Sequence, residues 1–148
     1  MISPEALRRY PHFADMSEDH LKTLAMNASE ETVPAGTQMF GEGDPADYFN
    51  IIVKGEVDIQ YLLGDNHRHT VDTLTSGDPL CWSALIEPYK TSAFGTTTKD
   101  TQLIRIKAEA MREMCEEEPM VGYRLMKRIA RLLGDRLQNA RLQLATID

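Results

Sequence analysis

The segment Ser76–Ser92, SGDPLCWSALIEPYKTS, holds the side chains with the most chemical scope: the single tryptophan, one of two cysteines, and a hydroxyl- and lysine-bearing end. Trp82 offers a stacking surface for a ligand ring or, equally, an anchor for the core. Ser83, ahead of Ala84-Leu85-Ile86, either opens a short helix whose free N–H groups face an anion or is a plain N-cap. Lys90 is the one cation of the segment, standing in solvent or binding an anion.

His67 and His69 form a second candidate. Their alternate spacing puts both on one strand face, with Asp72 three residues on. A cupin-type metal site needs a further distant histidine. The others, His12 and His20, both lie upstream, so a loop histidine pair is the expectation and no metal is expected. A metal-dependent cupin-like enzyme is the remotest alternative. Cys81 and Cys115 lack ligand-like or redox-motif spacing and read as separate thiols. No neighbouring motif suggests a Ser-His-Asp or Cys-His arrangement, and a Walker-type phosphate loop is absent. No catalytic residue is expected, and the chain is not read as an enzyme.

The bulk properties bound the setting. A chain of 148 residues fits one domain and can bury a core without disulfides or metal. No apolar run approaches the roughly 20 residues that span a bilayer, and MISPEALRRYPHF has no signal-peptide core. The expectation is a cytoplasmic protein without membrane contact. A net charge of −7 disfavours nonspecific binding to nucleic acid. From Pro119 onward, however, six basic residues (Arg124, Lys127, Arg128, Arg131, Arg136, Arg141) face two acids. The plain reading is a solvated basic helix face, and the other is a docking face for a partner protein.

Three compositional zones position these residues. Residues 1–29 are predicted as N-terminal helices, with Pro11 interrupting and Ser17 capping the second ahead of Glu18 and Asp19. Residues 30–106 break into short apolar runs cut by glycine turns, among them Tyr48–Val53, Val57–Tyr61, Thr70–Leu74 and Thr101–Ile106. That pattern predicts an antiparallel sandwich or barrel such as a jelly roll. Residues 107–148 turn helical again, Ala108–Glu118 and then, after Pro119, a long helix to about Thr146. Its second half keeps Leu133, Leu137, Ala140, Leu144 and Ile147, a coiled-coil spacing that predicts a parallel homodimer, with packing back on the sheet as the alternative.

Taken together, VPAGTQMFGEGDPADYFNIIVKGEVDI and TLTSGDPLCW resemble the cyclic nucleotide-binding domain family, the sensor module of catabolite-activator-type transcription factors. The order of turn glycines (Gly36, Gly43, Gly55, Gly77) with Asp44 and Asp47 carries the resemblance over nearly the whole chain. It implies a mainly β fold with flanking helices: a double-stranded β-helix, that is, a jelly-roll-like eight-stranded β-roll with a short helix inside it. N-terminal helices and a long C-terminal dimerisation helix complete it.

It also implies that Ser76–Ser92 is the ligand segment, with Gly77, Asp78, Cys81, Trp82, Ser83, Tyr89, Lys90, Thr91 and Ser92 as candidate contacts. The chemistry there departs from the family. Members that bind cyclic nucleotides carry Gly-Glu-Leu at the short helix and an arginine about ten residues on, for the ribose and the cyclic phosphate. Here Cys81-Trp82-Ser83 fills the first position, and only Lys90 and Thr91 stand near the second. The adenine-holding Thr-Ser pair of the activators corresponds to Ala140 and Arg141. The expectation is a sensing domain that lacks tight cyclic AMP binding, with no cofactor and with a small anionic or nucleotide-like molecule as the possible ligand. A ligand-free dimeric interaction module is the alternative. The activators place a helix-turn-helix domain after the long helix, whereas this sequence ends at Asp148, so nucleic-acid binding by this chain alone is not expected.

Overall fold

Ser3 and Ser17 start the two N-terminal helices. Each hydroxyl accepts from a backbone N–H three residues on, Ala6 and His20, both at 3.2 Å. In the computed structural model, which describes residues 2–147, α1 is Pro4–Arg8 and α2 is Glu18–Met26. Eight strands follow: β1 (Ala28–Val33), β2 (Gln38–Phe40), β3 (Tyr48–Lys54), β4 (Glu56–Leu62), β5 (Arg68–Thr75), β6 (Pro79–Leu80), β7 (Phe94–Thr97) and β8 (Thr101–Lys107). A 3-10 turn, Trp82–Leu85, lies between β6 and β7, and α3 (Ala108–Glu117) and α4 (Pro119–Ala145) close the chain.

The strands form two antiparallel four-stranded sheets, ordered β1-β8-β3-β6 and β2-β7-β4-β5. The fold is therefore the expected β-roll with flanking helices and a long C-terminal helix. One boundary moves. Ala28 and Ser29, assigned to the helical zone by the sequence, pair with Ile106 and Arg105 of β8, because helix α2 stops at Asn27.

β3 shows why its sequence lacks alternation: both of its faces are buried. Phe49 and Ile51 pack towards the helices, while Ile52 packs inside the roll. The roll interior is small, built on Val33, Ile52, Val57, Leu74, Leu80 and Leu103. The larger cluster lies under the helices and includes Leu7, Phe13, Leu21, Leu24, Met111, Leu125 and Ile129. α4 thus rests its first half on the body, through Leu125 and Ile129. Its second half leaves Leu137, Leu144 and Ile147 exposed at 52%, 69% and 71%. Among the described residues no helix is long and apolar enough to cross a membrane.

His12 is a buried polar exception beside this cluster. Its ring meets Phe13 and Phe49 edge-on at 6.2 and 6.3 Å between centroids, and its Nδ1 has no hydrogen-bond partner among the described residues. Burial, reinforced by the Arg128 charge and opposed by Asp78, holds its pKa below the ordinary 6.5. The unfolded chain therefore binds the proton more readily than the fold does. Stability from this site is full above about pH 6.5 and is lost as pH falls towards the depressed value. Thermal melting between pH 7.5 and pH 5 is expected to show that loss in the wild type and a flatter profile in His12→Phe.

Candidate ligand cavity

A cavity of about 360 Å³ opens between the β2-β7-β4-β5 sheet, the 3-10 turn and the second half of α4. Ile59 and Tyr61 of β4, Val71 and Leu74 of β5 and Phe40 of β2 supply its apolar side. Phe40 can lie there because β7 has Gly95 beneath it: a Cβ on Gly95 would sit 2.4 Å from the Phe40 ring. Leu80, Cys81, Trp82 and Ser83 form the wall, and Thr91, Ser92 and Ala93 the adjoining edge. Leu132, Arg136, Leu137, Asn139, Ala140 and Gln143 of α4 cover it.

The candidate contacts divide. Cys81, Trp82, Ser83, Thr91 and Ser92 line the cavity; Gly77, Asp78, Tyr89 and Lys90 do not. Gly77 occupies the β5–β6 turn at φ +89°, where its N–H donates to the Ile52 carbonyl at 2.7 Å. Tyr89 is stacked beneath the Arg112 guanidinium, 3.8 Å from its ring centre. Lys90 is exposed and bridges Pro45 in backbone pairing, so the lone cation of the segment stands outside the cavity.

Trp82 combines the two roles the sequence left open, since it packs against the helix-side core and lines the cavity. Ser83 is not an N-cap. The capping position of the 3-10 turn belongs to Cys81, in the left-handed region at φ +68°, and Ser83 lies buried within the turn. The Cys81 thiol is pushed up to about 12 by burial, opposed by an Asn50 hydrogen bond and the Arg105 charge. It stays protonated and unreactive at neutral pH.

Thr91 stands at the end of the segment that the resemblance assigns to a phosphate, and its hydroxyl is already committed. It donates to the Gly41 carbonyl and accepts from the Asp44 N–H at 3.1 Å. The Asp44 carboxylate in turn accepts from the Gly41 N–H at 2.7 Å. Thr91 therefore pins the β2–β3 turn. Thr91→Val is expected to lower stability in urea unfolding by about 1–3 kcal/mol, the cost of leaving buried groups unpaired.

Three residues acquire roles that the sequence did not reveal. Arg136 of α4 reaches back to the sheet, where it pairs with the Asp72 carboxylate and approaches Asp78 at 3.7 Å. Asp72, considered with the histidines, is thus taken up by Arg136. Arg112 of α3 donates from Nε to the Ala84 carbonyl at 2.7 Å and from Nη2 to that of Ala46 at 3.0 Å. It ties the wall of the cavity to the helical layer.

The histidine pair does not share a strand face. His67 lies in the turn before β5, while His69, within β5, meets Asp65 Oδ2 at 2.8 Å. The His67 N–H, foremost, and the His69 ring hold the Asp65 carboxyl below its usual range. Among the described residues, no three His, Cys, Asp or Glu side chains gather as a metal site would require.

In the α4 stripe, Leu137 and Ala140 line the cavity. Leu133 packs against the helix-side core, and Leu144 and Ile147 are exposed.

Comparison with known proteins fits this geometry. The crystal structure of a Geobacter metallireducens protein, provisionally named as cyclic nucleotide-binding, superposes with TM-score 0.83 at 32% identity, covering 93% of this chain and 99% of that one. An uncharacterized NTE family protein of Mycobacterium tuberculosis is 29% identical over 128 residues, 86% of this chain but 21% of that protein. A CRP-like cAMP-activated global transcriptional regulator of the same species is 22% identical over 129 residues, 87% of this chain and 58% of the regulator. The chain thus spans about a fifth of the first of these curated relatives and just over half of the second. The family model for the cyclic nucleotide-binding domain matches residues 30–118. The chain belongs to the cyclic nucleotide-binding domain family.

Proposed function

We propose that this chain is a dimeric, cytoplasmic, small-molecule-sensing regulatory domain, without catalytic activity, whose cavity does not bind cyclic AMP tightly. The observation that carries the reading is the phosphate end of the cavity, where the hydroxyl of Thr91 is already committed and Lys90 does not line the cavity. The grip that relatives use rests on a glutamate and an arginine, each making charge-assisted bonds. Their combined loss corresponds to about two to four powers of ten in affinity.

The retained cavity supports sensing, because its size is that of a small-molecule site and its walls are mostly apolar with a few polar groups. The arrangement also offers a route for a signal. A ligand against Trp82 would press on the 3-10 turn that Arg112 ties to α3, and on the α4 segment that carries the dimer stripe. Titrating the intrinsic fluorescence of Trp82, the sole tryptophan, with cyclic AMP, cyclic GMP and a panel of small anions and neutral metabolites tests this. A saturable response to at least one compound is expected. Silence across the panel, with side chains filling the cavity in a crystal structure, would overturn the sensing reading.

A second reading, a protein-interaction module, has its own observation. Tyr123, Arg124, Lys127, Arg128 and Arg131 share a groove with Asp15 on the first half of α4. The charge division favours an acidic partner: residues 119–148 carry six basic and two acidic side chains, net +4, whereas residues 1–118 carry ten and twenty-one, net −11. Partner capture that survives charge reversal of Arg124, Lys127 and Arg131 would sink this version.

A further inference from the structure

We propose that the cavity selects an uncharged, mainly apolar small molecule, held between Trp82 and α4 without opening the clasp of Arg136 on Asp72 and Asp78. The proposal rests on the sensing reading and names the ligand class of that same site. The anionic ligand expected from the sequence needs a cation facing the cavity. Among the described residues, Arg136 is the one Lys or Arg side chain that lines it, and Asp72 is the one carboxylate.

These two neutralise each other in direct contact, with the Asp78 carboxylate 3.7 Å from the other arm of the guanidinium. An entering anion would meet the Asp72 carboxylate and have to displace it before it reached the guanidinium, whose other arm faces Asp78 outside the cavity lining. An entering cation would meet the Arg136 guanidinium beside a carboxylate already paired with it and, elsewhere, uncharged walls that give a full charge little compensation for lost water. A neutral molecule leaves the clasp intact.

The remaining polar groups point the same way. Ser83, Ser92, Asn139 and Gln143, which carry hydroxyls and side-chain amides, line the cavity. Each can give or take a hydrogen bond without charge, and a mainly apolar cavity with a few such groups suits a ring-bearing molecule carrying a hydroxyl or carbonyl. Trp82, Phe40 and Tyr61 provide aromatic surface for the ring.

Two fluorescent probes with one shared skeleton separate the alternatives: neutral N-phenyl-1-naphthylamine and anionic 8-anilino-1-naphthalenesulfonate, each read by energy transfer from Trp82. A cavity plug, Ala140→Phe, marks cavity-bound probe, and Ser92→Phe serves if the first variant does not fold. The expected result is saturable binding of the neutral probe, at least about tenfold tighter than the sulfonate and weakened about tenfold by the plug. Plug-sensitive binding that favours the sulfonate or is equal for both probes would overturn the neutral-ligand proposal and leave the sensing reading standing. Absence of transfer to either probe, or transfer indifferent to the plug, would bring down the sensing reading and the proposal with it.

Discussion

Gly55→Ala is expected to destabilise the protein by about 3–5 kcal/mol, combining backbone strain with overpacking in a turn that cannot relax. Gly55 joins β3 to β4 at φ +124°, a conformation that L side chains rarely adopt. A Cβ there would lie 2.4 Å from Thr101 Oγ1 and 2.6 Å from Thr101 Cα. The second of these is backbone, and the neighbourhood is fixed. The fully buried Thr101 hydroxyl accepts from the Glu56 N–H at 3.2 Å and donates to the Lys99 carbonyl at 2.8 Å. The collision therefore falls where the two sheets exchange strands. Urea unfolding of Gly55→Ala beside Gly64→Ala checks it. Gly64 has open space around its Cβ position and an ordinary φ, so its variant should stay within about 0.5 kcal/mol of wild type. Equal stability of the two variants would contradict the account of this turn.

The second large effect is expected on assembly. Leu144→Lys, alone and with Leu137→Lys, should turn the proposed dimer into a monomer in light scattering at micromolar concentration. Leu137 and Leu144 stand seven residues apart on α4, both more than half exposed in the single chain. A parallel two-fold pairing would bury each residue twice. Removing about 1.5–3 kcal/mol of apolar burial per copy, and adding like charges, corresponds to at least about a hundredfold weaker association. Leu144→Lys is the cleaner variant because Leu137 also lines the cavity. An unchanged dimer mass would refute the seam. A monomer that still binds the neutral probe would show the cavity to be complete within one chain.

Much of this architecture is readable in the sequence for identifiable reasons. Ser17 followed by two acids marks the start of α2, and the run Phe49–Val53, apolar except for Asn50, marks a strand buried on both faces. Strands β1 and β2 were harder to read because they lie at sheet edges. Ala28–Val33 has one buried residue, Val33, and Gln38–Phe40 is three residues long. β6 has two residues, and β7 contains a glycine whose purpose is visible only when Phe40 lies across it.

The site follows the same rule. Cys81, Trp82 and Ser83 are assigned to the wall by the family resemblance, which sets them at the position of the short-helix motif. Lys90 stands out in the segment by its charge, but its placement is set by the Pro45 bridge, formed across 45 residues of chain. Arg136 looked like one more solvated cation on a basic helix. Only the folding of β5 beneath α4 brings Asp72 against it. Charge neutrality of the cavity is thus a tertiary property, with no local motif to announce it.

Isothermal titration calorimetry with cyclic AMP tests the central claim most directly, because it asks whether the rewritten phosphate end still accepts the family's nucleotide. The account predicts no saturable heat, or a Kd weaker than about 100 μM. A Kd near or below about 1 μM, abolished by Ala140→Phe, would contradict it.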